Sequence, residues 1–433
     1  MHKSDILFVH RYFPGQFRLL SSYLAGRNRV IALRDARSDS GEESRRLRCL
    51  TYDAAPASVS THHYVRGTEA AVRRGQAVAR TALSLRRQGF RPRVIFAHPG
   101  WGEALYLKDV FPDAKLVGLF EFYYHASGAD IGFDPEFPPR LDDRLRVRTR
   151  NAVNLLSLEA CDWGVAPTNW QRNLHPTAFW PRLSVIHDGI DTDRVRPDPS
   201  ASFVMPSGEA LSAQDEVVTY VARDLEPYRG FHSFMRSLPT ILSRRPHARV
   251  LIVGGDATSY GPPPSGGGSW RERMLAEIGP QIDLSRVIFL GRVSYEAYLR
   301  ILQISSVHVY MTYPFVLSWS CLEAMAAGCA VIGSATAPVE EVIVGGENGL
   351  LVDFFSAPAL ADAVDSVLNH PDRMAAMRAR ARQTVVERYD FRRVSLPKYL
   401  ALMDDLLDIS PKPSLNRRTV HPISGQTALV SAS

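Results

Sequence analysis

The run Val307-His-Val-Tyr-Met-Thr-Tyr-Pro-Phe-Val-Leu-Ser-Trp-Ser-Cys-Leu-Glu-Ala-Met-Ala-Ala-Gly328-Cys-Ala-Val-Ile-Gly-Ser334 reads as a strand, a turn, a helix and a second strand. The strand ends near Thr312 and Pro314 breaks it. A helix begins near Ser318, and Gly328 is placed as its C-terminal stop. Residues 301–322 contain no Asp, Glu, Lys or Arg, a length that could span a bilayer. Gln303, Ser305, Ser306, His308, Thr312 and Pro314 interrupt that stretch. Desolvating so many polar groups in hydrocarbon is costly, so a buried strand followed by a buried helix is expected instead.

The same alternation runs outward in both directions. Upstream, apolar runs at 6–10, 29–35, 48–53, 94–98, 115–122, 163–168 and 183–187 alternate with helical patterns such as 16–26, 67–88 and 146–160. Downstream, strands are expected at 217–222, 248–254, 286–291, 307–312, 330–334 and 349–353. Continuous apolar runs suit parallel strands covered on both faces, and helices between them imply crossover units. The expected domains are 1–195 and 216–390, joined by a linker at 196–215. A further helix is expected at 391–408, with a disordered tail at 409–433. The Gly- and Pro-rich segment 257–269 is expected as a flexible surface loop.

Composition agrees with a soluble enzyme. The 433 residues are 45% hydrophobic and 22% charged, which excludes a wholly disordered or fibrous chain. At about 150 residues per domain the length suits two or three domains. The net charge of +6 is small for this length and gives no argument for nucleic acid, although it suits an anionic small ligand or a membrane surface. Four cysteines without metal spacing point to a reducing, cytoplasmic compartment.

Two open sheets facing each other leave a cleft at their carboxyl ends, where such folds bind ligands. Several residues follow strands there. The helix start near Ser318 offers backbone N–H groups to a phosphate, with Val316 and Leu317 just before it. Glu323 is readable either as a ribose-binding carboxylate or as the last member of a capping box with Ser320. Arg223 and Arg229 can grip a diphosphate or can be solvated loop residues. Gly15 permits close backbone approach. His98, Glu121 and His125 are candidate acids, bases or hydrogen-bonding groups. The arginines between Arg66 and Arg93, with an apolar helix face beneath them, read as a solvated basic face, or else as a contact for an acidic acceptor or anionic lipid.

The ordered motifs Phe8-Val-His-Arg-Tyr-Phe-Pro-Gly-Gln-Phe17, Val185-Ile-His-Asp-Gly-Ile-Asp191, Tyr220-Val-Ala-Arg-Asp, Ile252-Val-Gly-Gly-Asp and Val287-Ile-Phe-Leu-Gly-Arg-Val293 lead to a family. With Glu323-Ala-Met-Ala-Ala-Gly-Cys-Ala-Val-Ile and Gly346-Glu-Asn-Gly-Leu-Leu-Val-Asp353, the chain resembles the retaining glycosyltransferases of family 4 over about residues 5–408. The resemblance implies a GT-B fold of class α/β, two Rossmann-like doubly wound parallel-sheet domains across a cleft. It implies transfer of a sugar, with retention, from a nucleotide diphosphate sugar to an acceptor hydroxyl, UDP being expected ahead of GDP. No metal and no cofactor is expected. Arg223 and Arg229 would hold the diphosphate, Val293 the base and Glu323 the ribose. Gly15, Phe315, Val316, Leu317 and Ser318 would line the donor site. Glu121 or His125 would serve at the reaction centre, with His98 and Trp101 toward the acceptor, a saccharide, a lipid-linked sugar or a small molecule. Phe315 departs from the family pattern, which has Glu there. A phenyl ring accepts no hydrogen bond from a sugar hydroxyl, so a catalytically silent nucleotide-sugar binder is an alternative, as is a GT-B phosphorylase or epimerase. The absence of Gly-x-Gly-x-x-Gly after the first strand argues against an oxidoreductase.

Overall fold

The computed structural model describes residues 4–38 and 47–408; the tail expected at 409–433 lies outside the described residues. The first seven strands are β1 (Asp5–Val9), β2 (Arg29–Asp35), β3 (Arg48–Tyr52), β4 (Pro92–Ala97), β5 (Lys115–Leu119), β6 (Trp163–Ala166) and β7 (Leu183–Val185). They form one parallel sheet in the order β3-β2-β1-β4-β5-β6-β7. Period-two geometry explains their continuous hydrophobicity. Leu7, Val9, Ile31, Leu33, Ile95 and Ala97 pack on one face with the helix α2 (Arg66–Arg87). Ile6, Phe8, Val30, Ala32, Val94 and Phe96 pack on the other with α1 (Arg18–Ala25).

A short antiparallel hairpin follows, β8 (Ser202–Val204) and β9 (Ala210–Ser212), within the segment expected as a linker. Ala201, Met205 and Leu211 are buried against Val217 and Leu251, so much of that segment is part of the second half's packing. The second sheet contains β10 (Val217–Asp224), β11 (Arg249–Gly255), β12 (Val287–Gly291), β13 (Val307–Tyr310), β14 (Ala330–Ser334) and β15 (Leu350–Val352). Its order is β12-β11-β10-β13-β14-β15, again parallel.

The chain crosses between the halves twice. The two crossings lie side by side, with the Ile190 N–H donating to the Tyr389 carbonyl at 2.8 Å and the Phe391 N–H to the Ile190 carbonyl at 2.9 Å. After the second crossing, the helix Leu396–Asp408 buries Leu396, Tyr399, Leu402, Met403 and Leu406 against the first sheet. A further tie is less usual. Phe122 and Ala129, in the stretch after β5, sit within the hydrophobic core of the second half, where Phe133 and Phe137 also pack.

The helix Trp319–Ala327 is apolar on nearly every side, and Cys321 to Ala327 are all buried. Gly328 ends it with φ +87°, and the Cys329 N–H donates to the Ala324 carbonyl at 3.0 Å. A Cβ on Gly328 would also stand 2.9 Å from Pro197 Cγ. Gly328→Ala is therefore expected to cost about 1–2 kcal/mol, the penalty of a left-handed L-residue. A urea titration checks it: the midpoint should fall at constant slope.

Candidate active site between the two sheets

On the first half, the residues after β1, β4 and β5 converge. The N–H of Tyr12 donates to His10 Nδ1 at 3.0 Å, so the ring proton lies on Nε2, which donates to Gln16 Oε1 at 2.7 Å. That leaves the Gln16 amide nitrogen to donate to Glu121 Oε1. From the other side, the Gly100 N–H fixes His98 Nδ1 as an acceptor at 3.2 Å, and His98 Nε2 donates to Glu121 Oε2 at 3.0 Å. Both chains of donors thus end on one carboxylate. Burial raises the pKa of Glu121, but the His98 and Gln16 hydrogen bonds outweigh it and hold the group below its ordinary value. Burial, with repulsion from His98, pushes His10 down to about 3, so its ring is neutral. The Glu121 side chain is about a quarter open to solvent, at 26%.

Gly15 has φ +45°, and a Cβ there would lie 2.3 Å from the His10 ring. Its lack of a side chain leaves room for the His10 ring that bonds Gln16. The Trp101 ring stacks on His98 with centroids 4.2 Å apart. His125 does not join this group: its Nε2 lies 2.7 Å from the Leu174 carbonyl. His125 thus stands apart from the group that converges on Glu121.

Across the cleft, Arg223 is exposed and its guanidinium lies 5.7 Å from the Tyr12 ring centroid of the first half. Arg229 behaves differently. It is 5% exposed and donates to Thr312 Oγ1 and to the Val316 carbonyl, both at 2.9 Å. The Tyr260 ring covers it at 4.9 Å. Segment 257–269 is accordingly not a free loop at that end. The N–H groups of Ser259, Tyr260 and Gly261 donate to the Glu226 carboxylate, the last at 2.8 Å. Phe315 is buried among Phe122, Tyr228 and Tyr260, with 4.5 Å between the Phe122 and Phe315 centroids. The ring at this position is thus part of the joint between the halves.

Glu323 accepts from Tyr295 Oη at 2.6 Å and Tyr298 Oη at 2.8 Å. Among the described residues it accepts from no backbone N–H, and the helix cap is Ser318, so the capping-box reading does not hold. The Ser318 N–H, expected to be open to an anion, donates to Tyr310 Oη at 2.7 Å. Those of Val316 and Leu317 have no acceptor among the described residues. Leu317 is buried and Val293 is half-buried beside Tyr295. Among the described residues no three His, Cys, Asp or Glu side chains are grouped to hold a metal ion.

Comparison with known proteins matches this architecture half by half. Residues 26–195 match the family model described as Glycosyl transferase family 4 group, and residues 206–384 match Glycosyl transferases group 1. A GDP-mannose-dependent alpha-(1-6)-phosphatidylinositol monomannoside mannosyltransferase of Mycobacterium tuberculosis is 30% identical over 309 residues, covering 67% of this chain and 71% of the relative. The chain belongs to this glycosyltransferase family. A D-inositol 3-phosphate glycosyltransferase of Rhodococcus jostii is 30% identical over 203 residues, 46% of this chain, and the match spans less than half (42%) of that relative. The GT-B fold is shared with sucrose-phosphate synthase from Thermosynechococcus elongatus, at TM-score 0.68 and 18% identity over 92% of this chain and 98% of that one. It is shared too with Anabaena Alr3699/HepE in complex with UDP and glucose, at TM-score 0.64 and 17% identity over 92% and 99%.

Within this family 4 chain, sequence reasoning missed the parts of the cleft that carry no charge or that meet only in three dimensions. His10 and Gln16 lay in a quoted motif but were not singled out. Tyr295 and Tyr298, three apart on one helix face, were the available signal for Glu323's partners. Asp188 stands in the Val185–Asp191 motif, where sequence alone assigns it no role. It is 7% exposed, accepts from Trp319 Nε1 at 2.8 Å, and its Oδ1 has no hydrogen-bond partner among the described residues. Burial pushes its pKa up to about 8, with repulsion from Glu121 adding to the effect.

Proposed function

We propose that this chain transfers a sugar, with retention of configuration, from a nucleoside diphosphate sugar to an acceptor hydroxyl. The observation that carries the reading is the doubly anchored Glu121 carboxylate on the first half, with Arg223 of the second half brought over the Tyr12 ring of the first. In this reading the sugar sits between the two, and the bond to the diphosphate breaks through an oxocarbenium-like transition state. Arg223, with the free N–H groups of Val316 and Leu317, meets the charge that develops on the leaving diphosphate. Arg229 sets the shape of that loop through the Val316 carbonyl and reaches the diphosphate once Tyr260 moves aside. Glu323 takes the ribose, whose hydroxyls donate to the lone pairs that the tyrosines leave. Val293 lies beside the base. Glu121 receives or orients the acceptor hydroxyl, with His98 and Trp101 on that side. Positive side chains do this work without a metal ion, so excess chelator should leave turnover unchanged.

The domain boundaries follow the same logic: 1–195 for the acceptor, 216–390 for the donor, and 391–408 back on the first half. The donor nucleotide is uridine diphosphate in this proposal. The relatives' names divide between a GDP-mannose enzyme and structures holding UDP. A thermal-shift series against UDP, GDP and ADP separates the cases, because a ligand at 100 times its Kd stabilises the folded state by about 2.7 kcal/mol. UDP should give the largest rise. No rise with any of the three would overturn the reading, and binding without transfer across a panel of donor sugars would make the chain a silent binder.

No helix among the described residues is long and apolar enough to cross a membrane. A peripheral contact is supported by Leu141, Leu145, Leu155 and Leu156, which are exposed beside Arg144 and Arg148 on two consecutive helices, Leu141–Arg150 and Ala152–Ala160.

A further inference from the structure

The stretch after β5 leaves the first half and is fastened into the second. At its root, Asn151 accepts from the Tyr124 N–H at 3.0 Å and donates to the Tyr124 carbonyl at 2.7 Å. Asn154 donates to the Phe122 carbonyl at 3.1 Å, so the first half holds this end. Beyond it, Phe122 and Ala129 are buried in the core of the second half. Phe133 meets the rings of Tyr313 and Phe354 at 5.1 and 5.2 Å, and Phe137 meets Trp270 at 5.3 Å. Asp134 is the polar centre of this joint and is 2% exposed. Its Oδ2 accepts from His232 Nε2 at 3.0 Å and from Tyr313 Oη at 2.7 Å, and its Oδ1 accepts from the Glu136 N–H at 2.9 Å. Burial raises the Asp134 pKa, but the His232 and Tyr313 hydrogen bonds outweigh it and hold the group below its ordinary value. Nearer the surface, Glu136 forms a forked pair with Arg236 at 2.6 and 3.1 Å.

A second tie uses other elements. The Glu341 carboxylate of the second half accepts from the N–H groups of Asn169 and Trp170, at 2.8 and 2.7 Å, where the helix Asn169–Asn173 of the first half begins. Trp170 Nε1 donates to the Phe315 carbonyl at 3.0 Å. The paired crossings at Ile190 add a third place where the halves meet. Domains joined by a hinge alone move relative to one another by default, and a large apolar interface removes that freedom. Rotation about the hinge would here carry Phe122 and Phe133 into water and take the His232 and Tyr313 donors away from the Asp134 charge.

The stretch touches the candidate site twice. Phe122 follows Glu121 directly and lies 4.5 Å from Phe315, and Asp134 holds Tyr313, which opens the loop 313–318. We infer that residues 122–137 form a strap that keeps the cleft shut throughout the reaction, and that Asp134 is the positioning residue through which it sets the loop 313–318 against Glu121. This deepens the transferase reading and rests on it. The donor then enters by local movement of the segment that carries Tyr260 over Arg229, and not by opening of the hinge.

Small-angle scattering on the full chain, with and without saturating UDP, tests the strap, and calorimetry on the same sample reports whether UDP is bound. Wild type should keep one radius of gyration in both states. Asp134→Ala should be expanded when free and should contract with UDP. Tyr313→Phe is the milder variant, because it keeps the ring and removes one donor. It should lower kcat at least threefold while KM for the nucleotide sugar stays within twofold of wild type. Asp134→Asn, whose one oxygen can still accept from both His232 and Tyr313, should recover most of the kcat lost in Asp134→Ala. Contraction of wild type on binding UDP would overturn the permanently shut cleft, and an unchanged kcat in Tyr313→Phe would remove Asp134 from positioning. Should UDP itself fail to bind, the transferase reading falls. Free wild type and free Asp134→Ala are then still compared, and equal radii would overturn the strap.

Discussion

Replacing Arg223 by alanine is expected to reduce turnover by about 10²–10³-fold and to leave the melting temperature almost unmoved. The size follows from the loss of one preorganised donor to a developing oxyanion, about 3–4 kcal/mol of transition-state stabilisation. The separation from stability follows from position. Arg223 is exposed and packs over the Tyr12 ring across the cleft, a pairing worth about 0.5–1 kcal/mol at an exposed site. No buried carboxylate is left unpaired when it goes. Arg229→Ala gives the contrasting case, since it frees Thr312 Oγ1 and the Val316 carbonyl inside a buried loop. Its turnover would fall together with stability, and the chemical part could not be read alone. Arg223→Lys should recover part of the loss, because charge is kept and the fork is not. Steady-state kinetics with the nucleotide sugar decide the matter. An Arg223→Ala enzyme within threefold of wild type would remove this residue from the diphosphate site.

The strands were legible because burial on both faces leaves little freedom in residue type. Ile6 to Val9 face alternate clusters and so must all be apolar, and the same holds for Val250 to Val253 in the other sheet. Gly328 was legible for a different reason, since the chain needs a positive φ at that position. The cleft was less so. Glu121 and His98 were visible as polar residues after strands, but the distance between them is set by which strands neighbour each other, and β4 beside β5 is a fact of topology. Gln16 is uncharged and its role depends on its rotamer. Phe315 was noticed as a departure from the family pattern, yet its packing depends on Phe122, almost two hundred residues earlier, being carried into the second half. Arg74 was hidden by its neighbours. In a run of arginines on one helix, spacing cannot tell that this one turns inward to the Trp101 carbonyl while Arg73 pairs with Glu69 at the surface.

Glu121→Gln tests the other half of the cleft, and its effect should be large although the shape is conserved. The carboxylate receives donors on both oxygens, the Gln16 amide and His98 Nε2–H. An amide at 121 offers one oxygen and one NH2, so one of those donors must face another donor. The neighbours have no easy way to adapt. Flipping the Gln16 amide would point its NH2 at His10 Nε2–H, and His10 is held in that tautomer by the Tyr12 N–H. On the opposite side His98 is held in its tautomer by the Gly100 N–H. A buried donor is left without an acceptor, at a cost of about 1–3 kcal/mol in stability. Loss of the charged oxygen at the reaction centre should lower turnover by about 10²–10⁴-fold, the range for a general base or acid. The pH profile separates chemistry from mere loosening. Because the Glu121 pKa is held below its ordinary value, wild-type turnover should persist at neutral pH and decline only as pH falls through that lowered value. That acid limb must vanish in Glu121→Gln if the carboxylate itself acts on the substrate. A variant that retains the same acid limb, with turnover reduced only in proportion to the protein unfolded, would leave Glu121 as a strut between His98 and Gln16 and move the reaction centre elsewhere in the cleft.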